Sequence, residues 1–313
     1  MTKFSFTAFL LLMAAALFAK GVECNTYIYG VQGNDTLRID KYAVPAVKGD
    51  TALRPVVVFA FGGGFKGGSR AAADYLPFFN HLAEQGVIVV SADYRTGLKN
   101  LDPASVRTPD DFTMALQNAI GLAVTDFYGA TAFVIENSEE WQADPSKIIA
   151  CGSSAGAITA LQAEYMLCNG SPLASTLPDG FNYAGLISFA GAICSEGSPV
   201  WQEKPCPMLL FQGDADKVVP YGEVLAGGKG LFGSSVIASL LKDMKAAYWL
   251  YTVCGAGHEV AGTPMSENLD EIVFFIRRCV SGGKAVCTET VVPARSDYKK
   301  DFTLEDYLRS SLQ

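Results

Sequence analysis

The chain has 313 residues, 50% of them hydrophobic and 18% charged, which is enough apolar sequence to bury one sizeable core. Its formal net charge is −8 and its lysines and arginines form no cluster, so a nucleic-acid partner is not expected. Two histidines and the lack of any C-x₂-C pair argue against a zinc site, and neither a metal nor another cofactor is expected.

The N-terminus has the pattern of a secretory signal peptide. Lys3 precedes an apolar run over residues 4–19, and small residues lie near the end of that run. The run is shorter than the roughly 20 apolar residues that a membrane span needs. We therefore expect a signal peptide over residues 1–21 and a secreted or periplasmic protein with no stable membrane insertion after cleavage. An uncleaved anchor is the alternative.

Apolar runs alternate with helical patterns along most of the chain. Residues 26–30 and 36–42 alternate in polarity and predict an antiparallel edge, and further strands are predicted at residues 56–61, 87–91, 147–151, 184–189, 208–212 and 247–253. Helices are predicted at residues 71–85, 110–133, 154–166, 234–245 and 268–279. Near-continuous apolar strands separated by helices indicate an α/β fold, with a mostly parallel sheet covered by helices on both faces.

The domain organisation predicted from this pattern is simple. One catalytic domain is expected over residues 22–288, followed by a polar C-terminal tail over residues 289–313. The segment 189–208 and the glycine-containing segment 225–231, predicted as a loop, are too short to form a large cap. The sequence carries no sign of the oligomeric state.

Eight cysteines are consistent with export into an oxidising compartment. Cys279 and Cys287 bracket a turn-like connector and are predicted to form a disulfide. Cys194 and Cys206 are a second candidate pair, because a bond between them would staple the segment that leads into the next strand.

A G-x-S-x-G pentapeptide at residues 152–156 places Ser154 directly after a predicted buried strand. In that order the strained turn exposes the serine hydroxyl, and the helix that follows directs its N–H groups toward it. Ser154 is therefore the candidate nucleophile.

A serine hydroxyl needs a neighbouring imidazole to remove its proton, and a carboxylate to orient that imidazole. His258 lies in a glycine-rich loop after the last predicted strand and is the candidate base, whereas His81 lies in mid-helix and is interpreted as structural. Asp216 follows another predicted strand and is the favoured acid. Asp214 is the alternative, with a role in bracing the turn. The chain order serine, acid, histidine is typical of α/β-hydrolases.

Three consecutive glycines, residues 62–64, follow the predicted strand 56–61. Backbone N–H groups unshielded by side chains suit the stabilisation of an oxyanion. A phosphate-binding loop is the rival interpretation, but the G-x-x-x-x-G-K-[ST] pattern is missing.

Together these segments resemble the α/β-hydrolase superfamily, and in particular its secreted carboxylesterase/lipase-like branch with an HGGG-type oxyanion loop. The similar motifs are the strand and glycine loop at 53–65, D-Y-R at 93–95, D-P-S-K-I at 144–148 before the pentapeptide, G-D-A-D-K-V-V-P at 213–220, and G-H at 257–258. The resemblance extends from about residue 27 to about residue 280, nearly the whole predicted mature chain.

The resemblance implies roles for six residues. Ser154 would be the nucleophile, His258 the general base and acid, and Asp216 the orienting carboxylate; the oxyanion-hole amides would be those of Gly63, Gly64 and Ala155. The sequence also departs from the family pattern at three positions. Phe61 stands where HGGG has its histidine, Gln212 where a histidine often precedes the acid loop, and Ala157 where a glycine is frequent. Phe61 bears on the geometry of the oxyanion loop more than on the chemistry.

The function predicted from the sequence is an exported serine esterase that forms an acyl-enzyme on Ser154. Its expected substrates are small-molecule or polysaccharide-linked esters, with acetyl and feruloyl esters of plant polysaccharides as candidates. A serine peptidase of the prolyl-oligopeptidase kind is one alternative, although the chain has no room for the additional propeller domain. A non-catalytic hydrolase-fold binding protein is the other, although such proteins usually lose members of the triad.

Overall fold

The computed structural model describes residues 21–46, 49–226 and 228–293. The predicted signal peptide, apart from Gly21, and the predicted tail from residue 294 onward lie outside these ranges.

A nine-stranded sheet with the order β1-β2-β4-β3-β5-β6-β8-β11-β12 forms the centre of the described fold. The β1–β2 and β2–β4 pairs are antiparallel, as the alternating pattern predicted, and every other pair in this sheet is parallel. Its strands are β1 Glu23–Gln32, β2 Asp35–Ala43, β3 Arg54–Ala60, β4 Ile88–Ala92, β5 Ala143–Ser153, β6 Gly185–Phe189, β8 Met208–Gly213, β11 Tyr248–Val253 and β12 Cys287–Val292.

The central strands are buried on both faces because helices cover the sheet on both sides. β4, β6 and β8 have no exposed residue. α1, α6 and α7 contact one another on one side, and α2 contacts α3 and α4 on the other. The helices are α1 Leu76–Glu84, α2 Pro109–Glu136, α3 Ser138–Trp141, α4 Ala155–Cys168, α5 Ser234–Asp243, α6 Pro264–Glu267 and α7 Leu269–Phe274. The predicted fold class is confirmed.

Two predicted helices differ from the observed ones at an end. The predicted helix 71–85 begins as a 3₁₀ turn over Ala73–Tyr75, and α1 follows with Pro77 in its first turn, where a missing N–H costs nothing. The predicted helix 268–279 continues after α7 as a π-helical turn over Phe275–Val280.

A second, three-stranded antiparallel sheet was not predicted. It contains β7 Ala192–Glu196, β9 Glu223–Ala226 and β10 Lys229–Gly233, in the order β7-β10-β9. The segment 225–231, predicted as a loop, is therefore the turn and flanking strands of a hairpin. The sheet lies beside the main one and is too small to be a cap domain.

The strand β12 was also not predicted, and it crosses the predicted boundary between domain and tail. It pairs in parallel with β11 from Cys287 to Val292, so the main sheet extends beyond residue 288. The strand lies at the edge of the sheet and is largely exposed, which explains why it lacks an apolar run.

The two predicted disulfides are absent, and all eight cysteines, which lie within the described ranges, are free thiols. Cys194 lies on β7 near Gln117 and Lys229, whereas Cys206 contacts Glu164 of α4, so their side chains face different surroundings. Cys279 is buried, whereas exposed Cys287 directs its thiol toward the carbonyl of Ala246, with 3.5 Å from sulfur to oxygen.

The helix α2 is long and apolar enough, by length and composition alone, to cross a membrane. Of its most apolar stretch 56% is buried inside the protein, where it packs on α4 and the sheet. A core helix of a globular domain has these properties. A capping box between Thr108 and Asp111 fixes its first turn.

Candidate active site

The turn between β5 and α4 holds Ser154 in an unusual backbone conformation. Its φ is 53° and its ψ is −119°, values that residues with a side chain rarely adopt. Glycines on both sides are required. A Cβ at Gly152 would lie 2.2 Å from the carbonyl oxygen of Gly156, and a Cβ at Gly156 would lie 2.0 Å from that of Ala60. The strand, turn and helix therefore project the hydroxyl of Ser154 from the carboxyl end of the sheet.

The structure brings Ser154, His258 and Asp216 into one hydrogen-bonded chain. His258 Nε2 lies 2.8 Å from Ser154 Oγ, and His258 Nδ1 lies 2.8 Å from Asp216 Oδ2. The three residues come from the loops after β5, β8 and β11, which lie close together in the main sheet. These are the residues that the sequence predicted for the nucleophile, base and acid.

The surroundings of Asp216 hold its carboxylate in place. Its Oδ1 accepts hydrogen bonds from the amides of Val218 and Val219, at 2.8 and 3.1 Å, and its side chain is fully buried. The His258 side chain is 24% exposed and faces the cavity. A carboxylate beside Nδ1 favours the tautomer that carries its proton there, which leaves Nε2 free to accept the proton of Ser154.

Asp214 and His81, the other aspartate and histidine considered from the sequence, do not belong to this chain of hydrogen bonds. Asp214 Oδ1 accepts a hydrogen bond of 2.6 Å from the amide of Gly255, so this carboxylate braces the loop that carries His258. Asp214 thus braces the neighbouring loop. His81 lies on α1 and is not among the residues that line the cavity around Ser154.

The glycine loop after β3 faces Ser154 across this cavity. Within the described ranges, no group accepts a hydrogen bond from the amides of Gly63, Gly64 or Ala155. A side chain at Gly63 is excluded, because its φ is 136° and a Cβ there would lie 2.3 Å from the carbonyl oxygen of Gly67. Amides from which no described group accepts a hydrogen bond can stabilise a negatively charged oxygen beside the serine.

The cavity that contains Ser154 and His258 has a volume of about 540 Å³, within the range typical of small-molecule sites. Most of its lining is apolar. The apolar side chains include Phe65, Leu98, Phe112, Leu116, Ile158, Val219 and Leu231. The arrangement can therefore hold an apolar group beside a nucleophile, a base and three free amides. Phe65 belongs both to this lining and to the core, since it is 1% exposed.

Several residues of the cavity wall were missed by the sequence reasoning. Phe112 and Leu116 lie four residues apart on α2, and Leu231 lies on the unpredicted strand β10. The only sequence signal for the first two was their helical spacing, which also fits an ordinary core face. Tyr75, whose hydroxyl accepts a hydrogen bond of 3.0 Å from the amide of Gly62, carried no signal.

Residues 42–169 match the BD-FAE family. The chain is 35% identical over 108 residues to fumonisin B1 esterase of Sphingopyxis macrogoltabida, a match that covers 33% of this chain and 18% of that protein. It is 32% identical over 149 residues to an isoprenylcysteine alpha-carbonyl methylesterase of Arabidopsis thaliana, covering 48% of this chain and 29% of that protein. The chain thus spans less than a third of the length of these curated relatives.

Solved structures give a more complete match. The apo form of esterase 2 from Thermogutta terrifontis is similar with a TM-score of 0.59 and 22% identity, covering 86% of this chain and 97% of that one. The propionate-bound form of the same esterase gives a TM-score of 0.58, with 83% and 96% covered. At this identity the similarity establishes a shared fold.

Proposed function

Since this chain has the α/β-hydrolase fold, we propose that it is a serine esterase that hydrolyses carboxylic esters through an acyl-enzyme on Ser154. The observation that carries the proposal is the hydrogen-bonded chain from Ser154 through His258 to buried Asp216, opposite the free amides. The curated proteins that it matches are esterases, which supports the same chemistry.

The proposed reaction starts with an ester whose carbonyl carbon lies beside Ser154 Oγ. His258 Nε2 takes the hydroxyl proton as the oxygen attacks, and Asp216 stabilises the resulting imidazolium. The carbonyl oxygen becomes an oxyanion, which accepts hydrogen bonds from the amides of Gly63, Gly64 and Ala155.

Collapse of the tetrahedral intermediate completes the first half of the reaction. His258 returns its proton to the leaving alkoxide, which departs as the alcohol and leaves an ester on Ser154. A water molecule then takes the place of the alcohol. His258 removes a proton from this water as its oxygen attacks the acyl carbon, and the same amides stabilise the second oxyanion. When this intermediate collapses, the bond to Ser154 Oγ breaks, His258 returns the proton to Oγ, and the carboxylic acid is released.

The proposed substrates are esters with short acyl groups, on small molecules or on polysaccharides. The apolar wall of Phe112, Leu116 and Leu231 suits a short hydrocarbon group and limits its length. Thermogutta terrifontis esterase 2 has been solved with propionate and with butyrate bound, acids of the length that this wall favours. Export of the protein, and action on plant polysaccharides outside the cell, are part of the proposal.

The test is hydrolysis of 4-nitrophenyl acetate by the unmodified protein and by Ser154→Ala. We expect the substitution to lower kcat by about 10⁴-fold or more, because it removes the nucleophile. Ser188→Ala is a matched control, since its buried hydroxyl on β6 has no partner among the described groups. Equal turnover by the unmodified protein and Ser154→Ala would refute the serine mechanism.

Two other outcomes would point to a different function for this protein. Cleavage of peptides with no turnover of any ester would favour a serine peptidase. Saturable binding of an ester with no turnover of esters or peptides would favour a binding protein.

A further inference from the structure

Two tyrosine hydroxyls hold the two ends of a single peptide group at the start of the glycine loop. Tyr94 Oη donates a hydrogen bond of 2.7 Å to the carbonyl oxygen of Phe61, and the amide of Gly62 donates one of 3.0 Å to Tyr75 Oη. The Phe61 carbonyl and the Gly62 amide belong to the same planar peptide unit. That unit directly precedes Gly63 and Gly64.

We propose that Tyr94 and Tyr75 form a clamp that positions the oxyanion amides of Gly63 and Gly64, an inference that rests on the proposed esterase function. By fixing the plane of the Phe61–Gly62 peptide, the clamp sets the direction in which the next two amides point. Both tyrosines act on the reacting atoms through the backbone and are therefore positioning residues.

The clamp restrains the N-terminal end of the loop, whereas the carbonyl oxygen of Gly63 is held from the C-terminal side by the amides of Lys66 and Gly67, at 3.0 and 3.2 Å. β3 ends at Ala60, so the Phe61–Gly62 peptide is the first one beyond the hydrogen bonds of the strand. Gly63 and Gly64 are exposed and both have positive φ, and nothing lies within 4 Å of the position of a Cβ at Gly64. A glycine backbone with this freedom keeps one geometry only if its flanks are fixed.

The two tyrosines are themselves fixed by packing from different parts of the fold. Tyr94, which follows β4, is buried and stacks on the ring of Phe61 with the centroids 4.4 Å apart. Tyr75 lies in the turn before α1, and its ring packs edge-on against Phe59 of β3 with the centroids 4.8 Å apart. The clamp therefore ties the loop to two rigid elements.

The clamp also accounts for Phe61, which stands where the resembled family has a histidine. A phenylalanine side chain has no donor or acceptor with which to hold the backbone of the loop. In this chain the polar anchoring comes from the two tyrosine hydroxyls, while the ring of Phe61 packs against Tyr94.

The decisive variant is Tyr94→Phe, because its hydroxyl is buried and is not among the groups that line the cavity. We expect kcat on 4-nitrophenyl acetate to fall roughly tenfold, since a misdirected donor loses part of its effect on the transition state. KM should stay within about twofold, because the ground-state ester makes little use of the oxyanion amides. Inhibition by phenylboronic acid, which forms a tetrahedral adduct on serine, should weaken by a similar factor.

Tyr128→Phe is the matched control. Tyr128 is another buried tyrosine whose hydroxyl donates to a main-chain carbonyl, that of Ala163 at 2.6 Å, but it lies away from the glycine loop. A purely structural loss should lower the melting temperature of both variants and leave kcat alike. Equal kcat in Tyr94→Phe and Tyr128→Phe would overturn the clamp.

Tyr75→Phe gives a second measurement and serves if Tyr94→Phe does not fold, because Tyr75 is only partly buried. It should also lower kcat and weaken phenylboronic acid, and unchanged values would count against the clamp. In the double variant the losses should combine to less than their product, since both hydroxyls act on one peptide. If Ser154→Ala is inactive but the tyrosine variants behave like the control, only the clamp is refuted. If Ser154→Ala keeps its activity, the proposed esterase mechanism itself is refuted.

Discussion

The backbone conformation of Ser154 is energetically unfavourable, and the rest of the fold holds it in place. At a φ of 53° and a ψ of −119° a side chain crowds its own backbone, and such residues typically cost about 1–3 kcal/mol. The cost is tolerated because close contacts of Gly152 and Gly156 leave the turn no other path. Strain of this kind aims the hydroxyl at His258.

This strain predicts different stabilities for two inactive variants. Ser154→Ala removes the hydroxyl and keeps the strained Cβ, whereas Ser154→Gly removes both. Allowing for the greater freedom of glycine in the unfolded chain, we expect Ser154→Gly to be more stable than Ser154→Ala by about 1 kcal/mol. Urea unfolding of the two proteins measures the difference, and an alanine variant at least as stable as the glycine variant would contradict it.

Sequence patterns pointed to the candidate nucleophile, base and acid because the chemistry of these residues constrains their neighbours. Ser154 needs flanking glycines, and Asp216 and His258 each follow an apolar strand, so all three left a local signal. Tyr75 left none, and Tyr94 left only its place in D-Y-R at 93–95, which gave no hint of a role in the glycine loop. Each acts through its hydroxyl on a backbone group 13 or 33 residues away, and only the fold brings these groups together.

At the scale of elements, the degree to which a strand is buried largely explains whether it could be predicted from the sequence. β4, β6 and β8 lie between two helical layers and are continuous apolar runs. β9 and β12 have several exposed residues, and the hairpin β9–β10 contains glycines, so these strands lack both apolar continuity and clean alternation. Their pairing partners, rather than their own composition, make them strands.

The helix α2 closes one side of the cavity, and a second small cavity lies between this helix and the three-stranded sheet. The second cavity has a volume of about 20 Å³ and shares Phe112, Leu116 and Leu231 with the larger one. These three side chains are therefore a partition between the two spaces. Shortening one of these side chains should therefore join the two cavities.

Leu116→Ala is predicted to shift the preference toward longer acyl chains. Removal of the leucine side chain opens the partition, so kcat/KM on 4-nitrophenyl esters should rise for longer chains relative to acetate. Each additional buried methylene is worth about 0.8 kcal/mol, or roughly fourfold. Leu82→Ala is the control, because it shortens a buried leucine on α1 that is not part of the cavity lining. An unchanged chain-length profile in Leu116→Ala would show that the wall does not set the length.

At the scale of the whole molecule, Glu164 is a buried acid that contributes to the stability of the fold. It lies on α4, and its Oε1 accepts hydrogen bonds from the amide of Cys206, at 2.7 Å, and from the thiol of Cys168, at 3.4 Å. Burial raises the pKa of Glu164 above its ordinary value, because the charged form loses its hydration. The folded protein therefore favours the protonated acid.

The sign of this shift predicts how stability changes with pH. A raised pKa in the folded state gives stability that is present at acidic pH and is lost as the pH rises through that pKa. Glu164→Gln mimics the protonated form, so its melting temperature should exceed that of the unmodified protein by a margin that grows over a pH range beginning near the ordinary pKa of a glutamate, about 4.3. The exposed Glu84→Gln on α1 is the control. A constant difference across this range would argue against a protonated Glu164.

The hairpin β9–β10 contributes a buried residue to the apolar wall of the cavity. It supplies Leu231, whereas the triad and the oxyanion amides come from the loops after β3, β5, β8 and β11 of the other sheet. The part of the wall that Leu231 supplies can therefore be varied without a change in the residues proposed for the chemistry. An engineer seeking a new specificity can graft foreign hairpins between residues 223 and 233 and leave the reaction centre untouched.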